Sequence, residues 1–231
     1  MKIGNKLGKV YDFMMSYKDY KLYKQFKINY GLKFTHWRKH IEIIRYPELY
    51  SHFTPKMSSI IIDVGAQYGD WSMLWAKKYD SGVLALELLR SNYKEMLKDM
   101  KLNKINIIPM NLAIGNGQNI AVENSKGMAY NRMIGYADTK TYTLDELIEP
   151  NELDIIKIDV EGFEYEVLEG ATNLIKRFHP RIIIETHSKE LRKKCDEFLI
   201  NNGYKLDFEG RTVKGKGWMD EVTNLFYIGS G

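Results

Sequence analysis

The stretch SIIIDVGAQYGDWS at residues 59–72 determines how the rest of the chain is interpreted. Three consecutive isoleucines predict a buried strand, and that strand ends at Asp63. Gly65 and Gly69 follow, and Asp70 then opens a helical pattern. Glycine lets a ligand approach the backbone closely because it has no Cβ atom. The stretch therefore predicts a ligand-binding turn between a strand and a helix.

Short apolar runs alternate with helical periods after residue 59. Strands are predicted near 59–63, 83–87, 105–110, 153–159 and 181–186, and helices near 70–79, 91–101, 163–177 and 188–201. This alternation is typical of an α/β domain with a mostly parallel, doubly wound sheet, whose ligands bind at the carboxyl ends of the strands.

Two segments depart from the alternating pattern. Residues 204–229 predict two strands and a glycine-rich loop, which would form a C-terminal antiparallel hairpin. Residues 116–141 are the least patterned part of the main domain, and we expect a loop or small strands there, near the mouth of the site.

The first forty residues differ in charge from the rest of the chain. They carry a net charge of +8, whereas the whole chain carries +4, and they are rich in aromatic residues. Apolar residues recur at helical spacings, at Leu7, Val10, Met14, Phe34, Trp37, Ile41 and Ile44. We interpret residues 1–55 as a basic, aromatic N-terminal helical extension and residues 56–231 as the main domain. Nucleic acid or an anionic membrane bound through residues 1–40 is the alternative.

Composition narrows the class of protein. The chain has 231 residues and one cysteine, so no intrachain disulfide can form. No apolar run approaches the ~18 residues that a membrane span needs, and no signal peptide is recognisable. We expect a cytoplasmic protein without a transmembrane segment.

The second predicted strand ends in Glu87, which lies 22 residues beyond Gly65. An acid at this position can accept hydrogen bonds from both hydroxyls of a ribose. Only the outer glycines of the dinucleotide fingerprint are present, and Asp63 disfavours a pyrophosphate but tolerates a cationic ligand. A ribose joined to a cationic amino-acid portion describes S-adenosylmethionine, which we predict as the cofactor. Helix capping or solvent exposure explains either acid alone.

Several motifs together resemble the FkbM family of S-adenosylmethionine-dependent methyltransferases. They are DVGAQYG at 63–69, the acid at Glu87, TLDEL at 143–147, IIKIDVEGFEYEVLEGA at 155–171 and PRIIIETH at 180–187. The resemblance covers roughly 59–230 and implies a Rossmann-like class I methyltransferase fold. The family commonly has Asn in place of Gln67 and Pro in place of Leu88.

The resemblance implies positions for the cofactor-binding residues. The first cofactor loop would contain Asp63, Gly65, Ala66, Gln67, Tyr68 and Gly69. Glu87 would hold the ribose beside Leu88, and Asn111 and Ala113 would lie along the adenine. The resemblance also points to small molecules or the sugars of glycans as methyl acceptors.

Candidate catalytic residues follow two neighbouring strands. Asp159 ends one strand and Glu161 comes one step beyond it, whereas Glu185 and His187 end the next strand. Methyl transfer to oxygen requires a base for the hydroxyl proton. Asp159 is the first candidate and Glu161 the second. His187 is an attractive base because its ordinary pKa is near 6.5, although it could equally cap the next helix beside Ser188.

Lys157 lies in a strand predicted to be buried, so we expect it to pair with Asp63, Asp159 or Glu185. The gathered carboxylates could attract a divalent cation, but the sequence has no dedicated metal-ligand spacing, and we predict no metal site. His36 and His40 stand four residues apart and are expected at the surface.

The sequence therefore predicts a methyltransferase that uses S-adenosylmethionine, acting on a hydroxyl of a small molecule or glycan sugar. Three alternatives stay open. The first is an RNA methyltransferase that grips RNA through its basic N-terminus. The second is a nicotinamide-dependent oxidoreductase, and the third is a binding protein that has lost catalysis.

Overall fold

The computed structural model describes residues 3–47, 49–124, 131–214 and 221–230. Its helices are α1 (Ile3–Tyr30), α2 (Ile41–Arg45), α3 (Asp70–Tyr79), α4 (Arg90–Asn103), α5 (Leu144–Leu147), α6 (Glu164–Glu169), α7 (Thr172–Phe178) and α8 (Lys189–Asn201). Its strands are β1 (Ile60–Val64), β2 (Gly82–Leu86), β3 (Ile108–Met110), β4 (Ala113–Ile114), β5 (Asn119–Asn124), β6 (Asn131–Tyr142), β7 (Ile155–Ile158), β8 (Arg181–Thr186), β9 (Tyr204–Lys214) and β10 (Glu221–Gly229). A 3-10 turn, Trp37–His40, precedes α2.

The main sheet is mostly parallel. Within the described residues its strand order is β3-β2-β1-β7-β8-β10-β9. In this order the first five strands, β3, β2, β1, β7 and β8, run parallel to one another. β10 runs antiparallel to both β8 and β9. The chain order reverses between β1 and β7, and ligands of open α/β sheets bind at such a point. The predicted fold class and the C-terminal antiparallel pair are confirmed.

Isoleucines fill the centre of the sheet because helices cover both of its faces. Ile62 and Ile156 pack into one core with apolar residues of α6, α7 and α8. Ile61 and Ile155 face the opposite way, into a second core with residues of α3 and the N-terminal extension. The two cores leave the carboxyl ends of the central strands as the edge at which a ligand can enter.

The N-terminal extension packs against the second core. Phe26, Leu32 and Phe34 are buried there. Gly31 follows the last residue of α1 and adopts a left-handed conformation, with φ of 66°. Phe34 therefore lies in a non-helical segment, so its predicted place in a second helix is wrong. Helical structure resumes only at Trp37.

α1 is a long helix of 28 residues. The predicted apolar positions Leu7, Val10 and Met14 lie in it, but the side chains before residue 17 are outside the description. In the described part of the chain, no helix combines the length and the hydrophobicity that crossing a bilayer requires.

The predicted helix at 163–177 is in fact two helices, α6 and α7, separated at Gly170 and Ala171. A Cβ atom on Gly170 would lie 2.0 Å from the carbonyl oxygen of Gly115. The helix is interrupted at this point because the backbones of Gly170 and Gly115 pack directly against each other. The sequence pattern of α6 and α7 alone does not predict this contact, because Gly115 is distant in the sequence.

The described parts of residues 116–141, which are 116–124 and 131–141, contribute strands beside the main sheet. β5 and β6 pair antiparallel, and β4 joins β6 in parallel to complete a three-stranded sheet. Residues 125–130 between β5 and β6, and residues 215–220 between β9 and β10, are outside the described part of the chain. In the described portion the expected strands are present, but β6, with 12 residues, is longer than the small strands that the sequence predicts.

Candidate active site

A pocket opens at the carboxyl ends of β1, β2 and β7, where the strand order reverses. It encloses about 640 Å³, including the solvent space at its mouth. Its carboxylates are Glu87, Asp159 and Glu161, and its larger apolar residues are Leu86, Leu88, Leu89, Leu112 and Val160. Of the residues predicted to bind a cofactor, those in the lining are Gly65, Gln67, Glu87, Leu88 and Ala113.

Glu87 is held in place in the wall of the pocket. Its Oε2 accepts a hydrogen bond from the backbone N–H of Gln67 at 2.8 Å, and its Oε1 accepts one from that of Leu89 at 2.6 Å. Burial raises the pKa of Glu87 to about 7, although these two hydrogen bonds act to lower it. Each carboxylate oxygen can accept a further hydrogen bond, so Glu87 can bind two neighbouring hydroxyls of a ligand.

Three backbone N–H groups of the turn after β1 already have acceptors within the protein. Gly65 and Ala66 both donate to the carbonyl oxygen of Leu86 at 2.9 Å, and Gln67 donates to Glu87. A pyrophosphate bound at such a turn needs free N–H groups. The turn is therefore poorly suited to a dinucleotide. The neighbouring carboxylate of Glu87 makes it still less suitable, because it would repel a pyrophosphate.

Gly65 brings two turns into contact. It adopts a left-handed conformation with φ of 78°, and a Cβ atom there would lie 1.8 Å from the carbonyl oxygen of Asp159. No side chain can occupy that space without moving one of the two backbones. The close packing of the turn after β7 therefore requires this glycine, whether or not a ligand binds.

Asp63 lies behind the pocket and outside its lining. Its Oδ1 is 3.2 Å from Nζ of Lys157, and its Oδ2 accepts a hydrogen bond from Oγ of Ser72 at 2.6 Å. The same Nζ is 3.6 Å from Oδ2 of Asp159. Burial alone would lower the pKa of Lys157, but Asp63 and Asp159 raise it above its ordinary value. The prediction that Lys157 pairs with Asp63, Asp159 or Glu185 is confirmed, and Asp63 and Asp159 are the partners.

Four other residues predicted to bind the cofactor also stand outside the lining, namely Ala66, Tyr68, Gly69 and Asn111. The Nδ2 of Asn111 donates to the carbonyl oxygens of Glu87 and Leu88, each at 2.8 Å, and so fixes the chain that carries the acid. The ring of Tyr68 lies 5.3 Å from that of His40, between centroids. Direct contact of these four residues with a cofactor stays a prediction.

The four predicted catalytic residues meet at the ends of β7 and β8, and together we call them the acidic centre: Asp159, Glu161, Glu185 and His187. The Nε2 of His187 is 3.2 Å from Oε2 of Glu161, 3.7 Å from Oε1 of Glu185 and 3.9 Å from Oδ1 of Asp159. Asp159 and Glu161 also line the pocket. The structure brings the four residues together, but Glu185 and His187 are not in the pocket lining, so their part in one catalytic site stays a prediction.

Glu164 contacts both the turn after β7 and His187 of the acidic centre. It is fully buried, and its Oε1 accepts hydrogen bonds from the backbone N–H groups of Gly162 at 2.9 Å and Val160 at 3.3 Å. The same oxygen is 2.9 Å from Nδ1 of His187. One carboxylate therefore fixes both the turn after β7 and the orientation of the imidazole.

The charge of His187 follows from these neighbours. Burial alone would lower its pKa, but Glu164 and Glu161 raise the pKa well above the ordinary 6.5. The surrounding carboxylates therefore favour the protonated form of the imidazole, which weighs against the prediction that His187 serves as a base. Ser188, not His187, caps α8, by accepting a hydrogen bond from the N–H of Leu191 at 3.1 Å.

Two carboxylates of the acidic centre, Glu185 and Glu161, have raised pKa values. Burial, supported by the charge of Asp159, raises the pKa of Glu185 to about 8. Burial likewise raises the pKa of Glu161 to about 7, although His187 opposes the rise. Glu42, from α2 of the extension, adds a further charge that raises the pKa of Glu185. The extension therefore contributes to the electrostatics of the site.

The two histidines predicted at the surface have different surroundings. The His36 side chain is 56% exposed and contacts Glu95. His40 is fully buried, with Nδ1 against Asp70 and Nε2 3.0 Å from Oδ2 of Asp99, so its predicted surface location is wrong. Burial alone would lower the pKa of His40, but the two aspartates raise it to about 9. They make burial possible by supplying opposite charge from α3 and α4.

Glu164 is the main residue that sequence reasoning missed. The available signal was an acid at the first position of a helix that follows a glycine, where backbone N–H groups need acceptors. Apolar lining residues such as Leu89 and Leu112 gave no signal, because an apolar side chain at a strand end is equally expected in a core.

Comparison with known proteins identifies the family of the chain. A sequence model of the methyltransferase FkbM domain matches residues 63–206, well over half of the chain. The chain belongs to the FkbM methyltransferase family. The matched region begins at Asp63 and includes all the residues of the acidic centre, whereas the N-terminal extension lies outside it.

Two curated relatives match parts of the chain. The hexuronic acid methyltransferase AglP of Haloferax volcanii is 27% identical over 137 residues, which are 56% of this chain and 56% of AglP. A protein of Jannaschia sp. strain CCS1 is 31% identical over 74 residues, which are 32% of this chain and 26% of that protein. The chain therefore spans about half of one relative and about a quarter of the other.

Solved structures share the fold at low sequence identity. A methyltransferase from Pyrococcus furiosus has a TM-score of 0.52 at 14% identity, over 94% of this chain and 98% of that one. The FkbM methyltransferase of Methylobacillus flagellatus has a TM-score of 0.51 at 16% identity, over 91% and 59%. Sp1610 of Streptococcus pneumoniae, solved in complex with S-adenosyl-L-methionine, has a TM-score of 0.53 at 16% identity, over 80% and 72%.

Proposed function

We propose that this protein transfers a methyl group from S-adenosylmethionine to a hydroxyl oxygen of a sugar or a similar small molecule. One observation carries the proposal. A single pocket joins Glu87, which is placed to bind two hydroxyls, to Asp159 and Glu161, which can act on a proton. The hexuronic acid methyltransferase activity in the name of the relative AglP supports a sugar acceptor.

The residues of the pocket fit this cofactor. Glu87 would hold the ribose hydroxyls, and its fixed position in the wall means that binding loses little side-chain entropy. Leu88, Leu89 and Leu112 offer an apolar surface on which the adenine can lie. The engaged N–H groups after β1 weigh against the nicotinamide alternative, because those of Gly65, Ala66 and Gln67 are no longer available to a pyrophosphate.

The acidic centre would carry out the proton chemistry. When bound, S-adenosylmethionine supplies an electrophilic methyl group on a positively charged sulfur. Asp159 is our first candidate to take the proton of the acceptor hydroxyl and Glu161 the second, because both carboxylates line the pocket. The role proposed for His187 is to orient Glu161, since the imidazolium is 3.2 Å from its carboxylate.

The deciding experiment is a calorimetric titration of the full chain with S-adenosylhomocysteine and, separately, with NAD. We expect micromolar binding of the first and none of the second. Glu87→Gln should weaken the first by about 10–100-fold, because hydrogen bonds to a charged group contribute about 1.5–3 kcal/mol. Glu190→Gln, whose side chain is 81% exposed on α8, is the matched control and should leave the affinity unchanged.

An acceptor screen then separates the remaining alternatives. Uronic acids, neutral sugars and RNA would each be incubated with cofactor, and release of S-adenosylhomocysteine would be measured. Turnover on RNA alone would replace the sugar proposal with the RNA alternative. Cofactor binding with no turnover on any acceptor would favour a protein that has lost catalysis. Failure of S-adenosylhomocysteine to bind would refute the proposal as a whole.

A further inference from the structure

We propose that the acidic centre binds one divalent cation, with Nε2 of His187 and carboxylate oxygens of Asp159, Glu161 and Glu185 as ligands. The sequence predicts no metal site, because these residues lie in two separate segments with no recognised spacing. The parallel pairing of β7 with β8 is what brings them together. Binding of the ion does not depend on the proposed function, whereas its role in catalysis does.

The distances fit a shared ion. Two atoms that each lie about 2.1 Å from one cation, at right angles to each other, are about 3.0 Å apart, and opposite ligands are about 4.2 Å apart. The ligand atoms of Asp159, Glu161 and His187 all lie within 4.8 Å of one another. From Nε2 of His187 to the three carboxylates the distances are 3.2, 3.7 and 3.9 Å. Modest side-chain shifts would let Asp159, Glu161 and His187 share one ion, whereas Glu185 lies outside that group of three and would have to move further to join it.

The orientation of His187 is an independent observation that points to a metal. A metal-binding histidine typically donates its second ring N–H to a carboxylate, which fixes the tautomer and the ring plane. Fully buried Glu164 stands in that position, 2.9 Å from Nδ1. Glu164 is itself fixed by the N–H groups of Val160 and Gly162. The arrangement therefore directs Nε2 toward the other carboxylates. A cation bound at Nε2 would displace the proton that these carboxylates hold there in its absence, so binding of the ion releases a proton.

The local charge also calls for a cation. Four carboxylates, those of Asp159, Glu161, Glu164 and Glu185, surround His187. Among the described residues, the ammonium of Lys157 also pairs with one of them, but it is closer to Asp63, at 3.2 Å, than to Asp159, at 3.6 Å. Buried or half-buried carboxylates in such excess repel one another. A divalent ion would supply the balancing charge.

The ligand types indicate which ion binds. One imidazole nitrogen together with carboxylate oxygens suits Mn²⁺, Fe²⁺ or Zn²⁺ better than Ca²⁺ or Mg²⁺, which prefer oxygen alone. Next to the proposed methyl acceptor, such an ion would lower the pKa of a bound hydroxyl. A carboxylate of ordinary basicity could then remove the proton. The ion would also offset the repulsion between these carboxylates and an acidic sugar.

The test uses the full chain, freed of metal by a chelator that is then removed. Binding of Mn²⁺ would be measured by electron paramagnetic resonance, and binding of Zn²⁺ by calorimetry. We expect one ion per chain. Glu161→Gln and Glu185→Gln should each weaken it by at least about tenfold, and Glu164→Gln by about 10–100-fold through the orientation of His187. Glu190→Gln should bind as the wild type does.

The result that would overturn the cation site is the absence of Mn²⁺ and Zn²⁺ binding, or equal binding by the wild type, Glu161→Gln and Glu185→Gln. Titration with S-adenosylhomocysteine in the presence of chelator keeps the two proposals separate. Normal cofactor binding without metal binding would refute the cation alone. Metal binding without cofactor binding would refute the proposed function and leave the cation site standing.

Discussion

His40 and His187 are both buried histidines held by carboxylates, but their surroundings differ. His40 lies between Asp70 and Asp99, and the second of these is also bound by Thr35 through its backbone N–H and its hydroxyl. The ring stacks on Phe34 at 3.9 Å between centroids. His187 has four carboxylate neighbours, two of which line the pocket.

The comparison separates two uses of the same interaction. Around His40 the two carboxylates come from α3 and α4, aromatic and hydroxyl groups complete the shell, and the result joins the N-terminal extension to the main domain. Around His187 the carboxylates outnumber the cations, so the acidic centre keeps an excess of negative charge that a ligand can use. We infer that the first cluster stabilises the fold and that the second costs stability in return for function.

Replacement of His40 should have the largest effect. His40→Ala leaves Asp70 and Asp99 buried without their counter-charge, and we expect the free energy of unfolding to fall by about 3–5 kcal/mol. His36→Ala is the matched control, because His36 also contacts an acid of α4 but is more than half exposed, and it should cost less than about 1 kcal/mol. Urea unfolding measures both. Equal losses would remove the structural distinction between the two histidines.

The same cluster predicts a dependence of stability on pH. The pKa of His40 rises from an ordinary 6.5 to about 9 in the folded protein, so the native state holds this proton more tightly than the unfolded state does. Its contribution is fully present below about pH 6.5 and is lost as the pH rises through about 9. The shift corresponds to about 3 kcal/mol. The stability gap between wild type and His40→Ala should therefore narrow from pH 6 to pH 10, and a constant gap would contradict the assignment.

In the acidic centre, Asp159→Asn should reduce turnover without a comparable loss of cofactor affinity. We expect turnover on an accepted substrate to fall by about 100-fold or more, the scale of losing a general base. The dissociation constant of S-adenosylhomocysteine should change by less than about threefold. Asp80→Asn, at the exposed end of α3, is the matched control. Full activity in Asp159→Asn would exclude Asp159 from the chemistry.

The smallest effect has the opposite sign. Glu185→Gln should raise the free energy of unfolding by about 1 kcal/mol at pH 8 without divalent ions, because it removes a carboxylate that burial and Asp159 make costly to ionise. Glu190→Gln should stay within about 0.5 kcal/mol of the wild type. A stability loss in Glu185→Gln would show that its charge is favourable and would weaken the contrast with His40.

Much of the fold could be predicted because its signals are local. Runs such as Ile60-Ile61-Ile62 identify buried strands, and the alternation of strands and helices determines a parallel sheet. The break at Gly170 could not be predicted, since its cause is the backbone of Gly115. The burial of His40 also depends on partners 30 and 59 residues away in the sequence.

The candidate site, like the fold, has features that the sequence could predict and features that it could not. The acids at the ends of β1, β2, β7 and β8 could be identified because the carboxyl ends of parallel strands meet at one edge. The sequence could not show which acids face the pocket. Asp63 pairs with Lys157 behind it, whereas Glu87 lines it. That division depends on the packing of side chains across neighbouring strands.

The position of β10 between β8 and β9 has a consequence for the size of the folding unit. The region that family comparison recognises, residues 63–206, stops at the beginning of β9 and contains no part of β10. A protein trimmed to that region would leave the edge of β8 open and would uncover the core that the extension shields. The stretch that matches the family model, residues 63–206, is therefore shorter than the stretch whose strands and cores pack together in this structure.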